Sequence, residues 1–175
     1  MIRYVLAIDP GTKESGVCLV RIEDYKPLFV LKADNKTVCL GLYGALRNAG
    51  VTPQQLQCVI ERMHNPMSVD SNVFLTCEWI GRFDYHYECY TARPTEFIYR
   101  HQEYKNLCAN LYSRNDKGIK QALVERFAYG QPNYGKGTKD APGWFYGFSA
   151  DMWSAYAIAV TWIDLHKEEI CEQIR

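Results

Sequence analysis

Asp9, Glu61 and Asp151 are the residues of this chain whose types and positions could do chemistry together. Asp9 closes the apolar run Tyr4-Val5-Leu6-Ala7-Ile8 and leads into Pro10-Gly11-Thr12. Glu61 closes Leu56-Gln57-Cys58-Val59-Ile60. Asp151 falls at the start of the last long apolar stretch. Each has an ordinary explanation when taken alone. Asp9 could start a hairpin turn, and Glu61 could be the first solvated residue past a strand. Asp151 could complement a helix dipole, an effect of roughly 0.3–1 kcal/mol. Three acids at three element ends carry more weight if the fold brings those ends together. Clustered carboxylates repel unless something neutralises them. Hard divalent cations do so, and Mg²⁺ keeps water and phosphate oxygens in its shell. Two such ions about 4 Å apart can activate water and stabilise the leaving oxygen of a phosphodiester.

The elements that must position these acids can be read from hydrophobic pattern and turn residues. Strands are expected at about 3–9, 15–22 and 27–31, a short antiparallel meander. Pro10-Gly11 fits a type II turn, with proline fixing φ and glycine taking the positive φ. Gly16 keeps the backbone bare where the second strand returns past Asp9. A helix follows from Thr37 to about Asn48, then a buried strand over Leu56–Glu61. A second helix is expected from Val69 to about Phe83, then a strand over Tyr87–Thr91. Pro94 is expected to open a short helix at its first turn. Asp116 to Ala128 reads as an amphipathic helix with Ile119, Ala122, Leu123 and Phe127 inward, which turns Lys117 and Lys120 outward. Residues 130–147, rich in Gly, Pro, Lys and aromatics, read as a loop. Ser149 is expected to cap a final helix reaching about Ile170. This order describes an α/β chain with a ribonuclease-H-like mixed five-stranded sheet flanked by helices, one domain over 1–175. If the strands ending in Asp9 and Glu61 are adjacent and parallel, the two acids meet at one sheet edge, and Asp151 closes over it.

Composition narrows the class. The chain has 175 residues, 47% of them hydrophobic and 14% aromatic, which is the make-up of a folded domain and not of a disordered one. Its longest apolar stretch, Trp153 to Ile163, is too short to cross a bilayer, so a soluble, cytoplasmic protein is expected. Seven cysteines show no paired spacing and read as reduced, buried thiols. Net charge is zero, yet residues 92–140 hold nine bases against five acids, an excess of +4 that leaves −4 elsewhere. Such asymmetry suits a protein that grips a polyanion beside a metal site.

Ala7-Ile8-Asp9-Pro10-Gly11-Thr12 with Gly16-Val17, then Val59-Ile60-Glu61, then Ala150-Asp151 before Ser154-Ala155-Tyr156-Ala157, resembles the RuvC-type Holliday junction resolvases over nearly the whole chain. The resemblance implies a homodimeric, Mg²⁺-dependent endonuclease, with Mn²⁺ as a substitute, that nicks four-way or branched DNA junctions. Asp9, Glu61 and Asp151 match the family's first three catalytic, metal-binding acids. The family's fourth acid falls on Ser154, which would ligate weakly, through water or not at all, with Asp140 a remote substitute. Lys117 matches a catalytic lysine, and Lys120 a DNA-binding one. Arg114, Lys136 and Lys139 are further DNA-binding candidates. An aromatic wedge usually follows the second acid, and here His64 or Met67 would have to serve. These departures would suit a phage or prophage version, acting in its host's cytoplasm. Two alternatives stay open: a related RNA-processing nuclease, and a junction-binding protein with a weakened site. Actin-like kinases share the Asp-x-Gly-Thr run but need two such domains.

Overall fold

The computed structural model describes residues 1–63, 69–109 and 112–174. Among the described residues there are five strands: β1 (Tyr4–Asp9), β2 (Glu14–Arg21), β3 (Pro27–Asp34), β4 (Leu56–Arg62) and β5 (Glu96–Tyr99). They form one sheet in the order β3-β2-β1-β4-β5. β1 to β3 are an antiparallel meander, whereas β4 runs parallel to β1 and β5 parallel to β4. The helices are α1 (Asn35–Asn48), α2 (Ser71–Thr91), α3 (Arg100–Glu103), α4 (Asp116–Ala128), α5 (Met152–Leu165) and α6 (Lys167–Ile174). This is the expected mixed α/β sheet of a ribonuclease-H-like fold.

β1 is buried on both faces, which is why it reads as an unbroken apolar run. Successive strand side chains point to opposite faces. Val5 and Ala7 therefore join Cys18, Val20, Val59 and Ile98 under α4 and α5. Leu6 and Ile8 join Leu19, Cys58 and Ile60 under α1 and α2. α5 is buried all the way from Ala155 to Ile163, as an all-round apolar helix must be. Ala155, Ala157 and Ala159 keep it thin against the sheet. The six cysteines whose side chains are described are free. Among the described residues no helix is long and apolar enough to cross a membrane.

Four expectations need correction. Tyr87–Thr91 is not a strand but the last turn and a half of α2, because Ile80, Phe83 and Tyr87 recur at helical spacing on its buried face. The fifth strand lies instead at Glu96–Tyr99, just after Pro94, where a short helix was expected. The final helix starts at Met152 with Asp151 at its N-cap, not at Ser149, and it breaks at His166 before α6. Pro10-Gly11 also does not form a type II turn, since Gly11 has no positive φ. Glycine is needed there for a different reason: a Cβ would sit 2.3 Å from the Glu14 carbonyl oxygen.

Candidate active site

Strand register builds a row of side chains across the carboxyl edge of the parallel strands. Asp9 pairs with Gly16 of β2, and Gly16 with Lys32 of β3. On the other side Ile8 pairs with Ile60, so Glu61 lies beside Asp9, and Glu61 itself pairs with Ile98 of β5. The parity that points Ala7 and Val59 toward α5 also points Asp9, Glu61 and Lys32 to that face. Asp9 and Glu61 thus face each other across adjacent strands. Burial, and then the Glu61 carboxylate, hold Asp9 well above the usual carboxylate range, against the pull of Arg100. A pair of carboxylates in this state calls for a cation.

Asp151 arrives from the start of α5. Its backbone lies directly on Gly16: a Cβ there would be 2.4 Å from the Asp151 carbonyl oxygen and 3.0 Å from its Cβ. The bare backbone at Gly16 thus admits the third acid. Asp151 makes no side-chain cap bond to its helix; its carboxylate instead meets Lys32 Nζ at 2.8 Å. It is near enough to Asp9 to add to the pressure on that carboxyl group. The loop after Asp9 is held by buried polar links: Ser15 Oγ donates to Asn35 Oδ1 (2.6 Å), and Asn35 Nδ2 donates to the Gly11 carbonyl (2.9 Å).

Arg100, at the end of β5, occupies the space between the acids. Its Nη1 lies 3.8 Å from Glu61 and 3.1 Å from Glu103, and its Nη2 is 2.5 Å from Asp116 and 3.5 Å from Ser154 Oγ. Burial disfavours the Arg100 charge, but Glu103, Glu61, Asp116 and Asp9 together raise its pKa. Beside this cluster, Asp116, Lys117, Lys120, Lys136, Asp151, Trp153 and Ser154 line an open cleft of about 510 Å³. Lys120 Nζ lies 3.6 Å from the Tyr134 ring centroid and 5.0 Å from that of Trp153, so aromatic faces hold its charge at the cleft.

The fold thus brings Asp9, Glu61, Asp151 and Ser154 to one edge, with Lys117, Lys120 and Lys136 beside them. It does not join all the acids into a ready metal cage: among the described residues no three acid, histidine or cysteine side chains are poised as one. Lys32 pairs with Asp151, and Arg100 with Glu61 and Glu103, so an ammonium and a guanidinium offset the carboxylate charge. The donors are all hard oxygens, with Asp9 and Glu61 adjacent, and such a set fits Mg²⁺. Lys139 and Asp140 lie on the exposed 137–142 turn and do not line the cleft. Arg114 is exposed ahead of α4 and does not line the cleft either. His64 and Met67 lie outside the described residues. Lys32, Arg100 and Glu103 were missed from the sequence. Lys32 would have been found by extending β3 one residue with its alternation intact, and the other two by placing β5 correctly.

No protein-family model matches the chain, and no curated protein matches it in sequence. Solved structures do match. Thermus thermophilus RuvC in complex with a Holliday junction substrate aligns with a TM-score of 0.64 at 12% identity, over 91% of this chain and 91% of that one. A second Thermus thermophilus RuvC structure aligns with a TM-score of 0.63 at 14% identity, over 90% and 92%. The chain has the RuvC fold.

Proposed function

We propose that this chain is a divalent-metal-dependent endonuclease that nicks four-way or branched DNA. The observation that carries the proposal is the joining of Asp9 and Glu61 on adjacent parallel strands, with Asp151 over Gly16 and a lysine-lined cleft alongside. The RuvC fold, and the junction DNA that a structure of similar fold binds, support DNA as the polymer. Asp9, Glu61 and Asp151 would hold the metal, with Asp9 the most rigid because it ends the central strand. Mg²⁺, or Mn²⁺ in its place, would supply charge neutralisation and a nucleophilic water at neutral pH. Lys120 and Lys136 would bind backbone phosphates and fix the strand's position, as phosphate contacts do without reading sequence. Lys117, exposed in the first turn of α4, would offset charge that develops on the scissile phosphate. Paired nicks across a four-way junction call for two sites, and a homodimer supplies them. The outer face of α2 offers Phe74 (61% exposed) and Tyr85 (66%) for such contact. The protein would act on DNA in the cytoplasm.

A substrate panel tests this. Purified protein is given a synthetic four-way junction, linear duplex of the same sequence, and structured RNA, with Mg²⁺ or with EDTA. Mg²⁺-dependent nicking of the junction in preference to the others is expected. A junction bound but never cut would mark a binding scaffold. Preferential cutting of RNA would turn the assignment to RNA processing.

A further inference from the structure

We infer that Glu103 is the fourth carboxylate of the metal site, filling from α3 the place that Ser154 leaves on α5, an inference that rests on the nuclease reading above. Glu103 is fully buried, and its Oε1 has no hydrogen-bond partner among the described residues. A buried, unpartnered carboxylate oxygen is costly, so its retention needs a use. Its other oxygen shares one guanidinium nitrogen with Glu61: Arg100 Nη1 is 3.1 Å from Glu103 Oε2 and 3.8 Å from Glu61 Oε2. That nitrogen marks a point where a positive charge is held jointly by the two acids. Ser154 Oγ faces the other arm of the same guanidinium at 3.5 Å.

The placement follows from the fold. β5 runs parallel to β4, so the residues just past Tyr99 emerge at the same edge as Glu61. Glu103 ends the short helix that begins there, and a π-helical turn over Tyr104–Cys108 follows directly. Such turns are uncommon and often mark functional positions. Arg100 is 27% exposed, so its head can swing toward solvent. Glu61 and Glu103 would then be free to hold a divalent cation together, with Glu103 offering the oxygen that Arg100 does not use. Arg100 and the metal are alternative partners of these two acids.

Mn²⁺ binding without DNA tests this, read from the loss of the free-ion EPR signal during titration. Wild type, Glu103→Gln, Arg100→Gln and Asp9→Asn are compared, with thermal melting in EDTA to show that each is folded. Even the outer partners of metal ligands are worth about 10–100-fold in affinity, so Glu103→Gln is expected to weaken one Mn²⁺ by about that factor or more. Arg100→Gln removes the competing cation and is expected to tighten the same ion. A Glu103→Gln titration that overlays wild type, while Asp9→Asn weakens binding, overturns the role of Glu103 and leaves the nuclease reading intact. Arg100→Gln that weakens Mn²⁺ also overturns it, because Glu103 would then serve only to anchor Arg100. Wild type that binds no Mn²⁺ at millimolar concentration sinks both together.

Discussion

Replacing Gly16 by alanine puts one methyl group where the third acid enters the site. The new Cβ would stand 2.4 Å from the Asp151 carbonyl oxygen, 2.7 Å from its carbonyl carbon and 3.0 Å from its Cβ. Ordinary contact begins near 3.4 Å, so the α5 start must retreat by about 1 Å, and a displacement of that size can cost about 100-fold in rate. The obstacle is backbone and cannot rotate away. Overpacking of this kind costs about 1–3 kcal/mol. For a chain of this length that is a fall in Tm of between about 2 and 12 °C. Lys32 loses its 2.8 Å contact as Asp151 moves. The control is Gly44→Ala in α1, where a Cβ meets nothing within 4 Å. That change is expected to stabilise the helix by about 0.5–1 kcal/mol. Calorimetric melts and single-turnover junction cleavage read both variants. A Gly16→Ala protein that melts and cuts like wild type would refute the placement of Asp151 on β2.

Other expectations follow from the cleft and from the far end of α5. Lys120→Ala should weaken junction binding and reduce its salt slope by about one, in a fluorescence titration against salt. Lys117→Ala should slow the single-turnover cut more than it weakens binding; equal loss in both would make Lys117 a plain phosphate anchor. Asp164 accepts both arms of Arg126 (2.6 and 2.8 Å), Tyr25 Oη (2.9 Å) and Asn106 Nδ2 (2.9 Å). Burial alone would raise its pKa, but these donors outweigh burial and lower it. Because Arg126 is partly exposed, Asp164→Ala should cost only about 2 kcal/mol at pH 7. With a depressed folded pKa, that stabilisation is complete above the unfolded value near pH 4 and is lost as pH falls through the folded value. Urea melts of wild type and Asp164→Ala at pH 7 and pH 3 should therefore differ less in acid; a gap that widens in acid would contradict the carboxylate's role.

The first half of the chain was legible because local and tertiary signals agree there. β1 is apolar on both faces, Asp9 ends it, and Gly16 marks a close approach, although the partner is Asp151 and not only the passing strand. Adjacency of Asp9 and Glu61 followed from strand order. The second half was less legible for identifiable reasons. α2 ends in Tyr87-Glu88-Cys89-Tyr90-Thr91, residues that by themselves favour strands, and its length is set by burial of Phe83 and Tyr87 under the sheet. Its C-cap is Ala92 in the left-handed region at φ 55°, a position where glycine would have announced the stop. With that boundary missed, β5 was misplaced, and Arg100 and Glu103 could not be assigned to the acid edge. The Lys32–Asp151 pair joins β3 to α5 across 119 residues of chain, and no local pattern encodes it.

The most direct test of the acid edge as a catalytic centre is single-turnover cleavage by Asp9→Asn, with protein in saturating excess over a four-way junction and with saturating Mg²⁺. Wild type and variant are compared at equal occupancy of the DNA, measured by gel shift in Ca²⁺. Asp9→Asn removes one negative charge that faces phosphate, so binding is expected to hold or tighten while cleavage falls to background. A folded Asp9→Asn protein that cuts the bound junction at the wild-type rate would contradict the assignment.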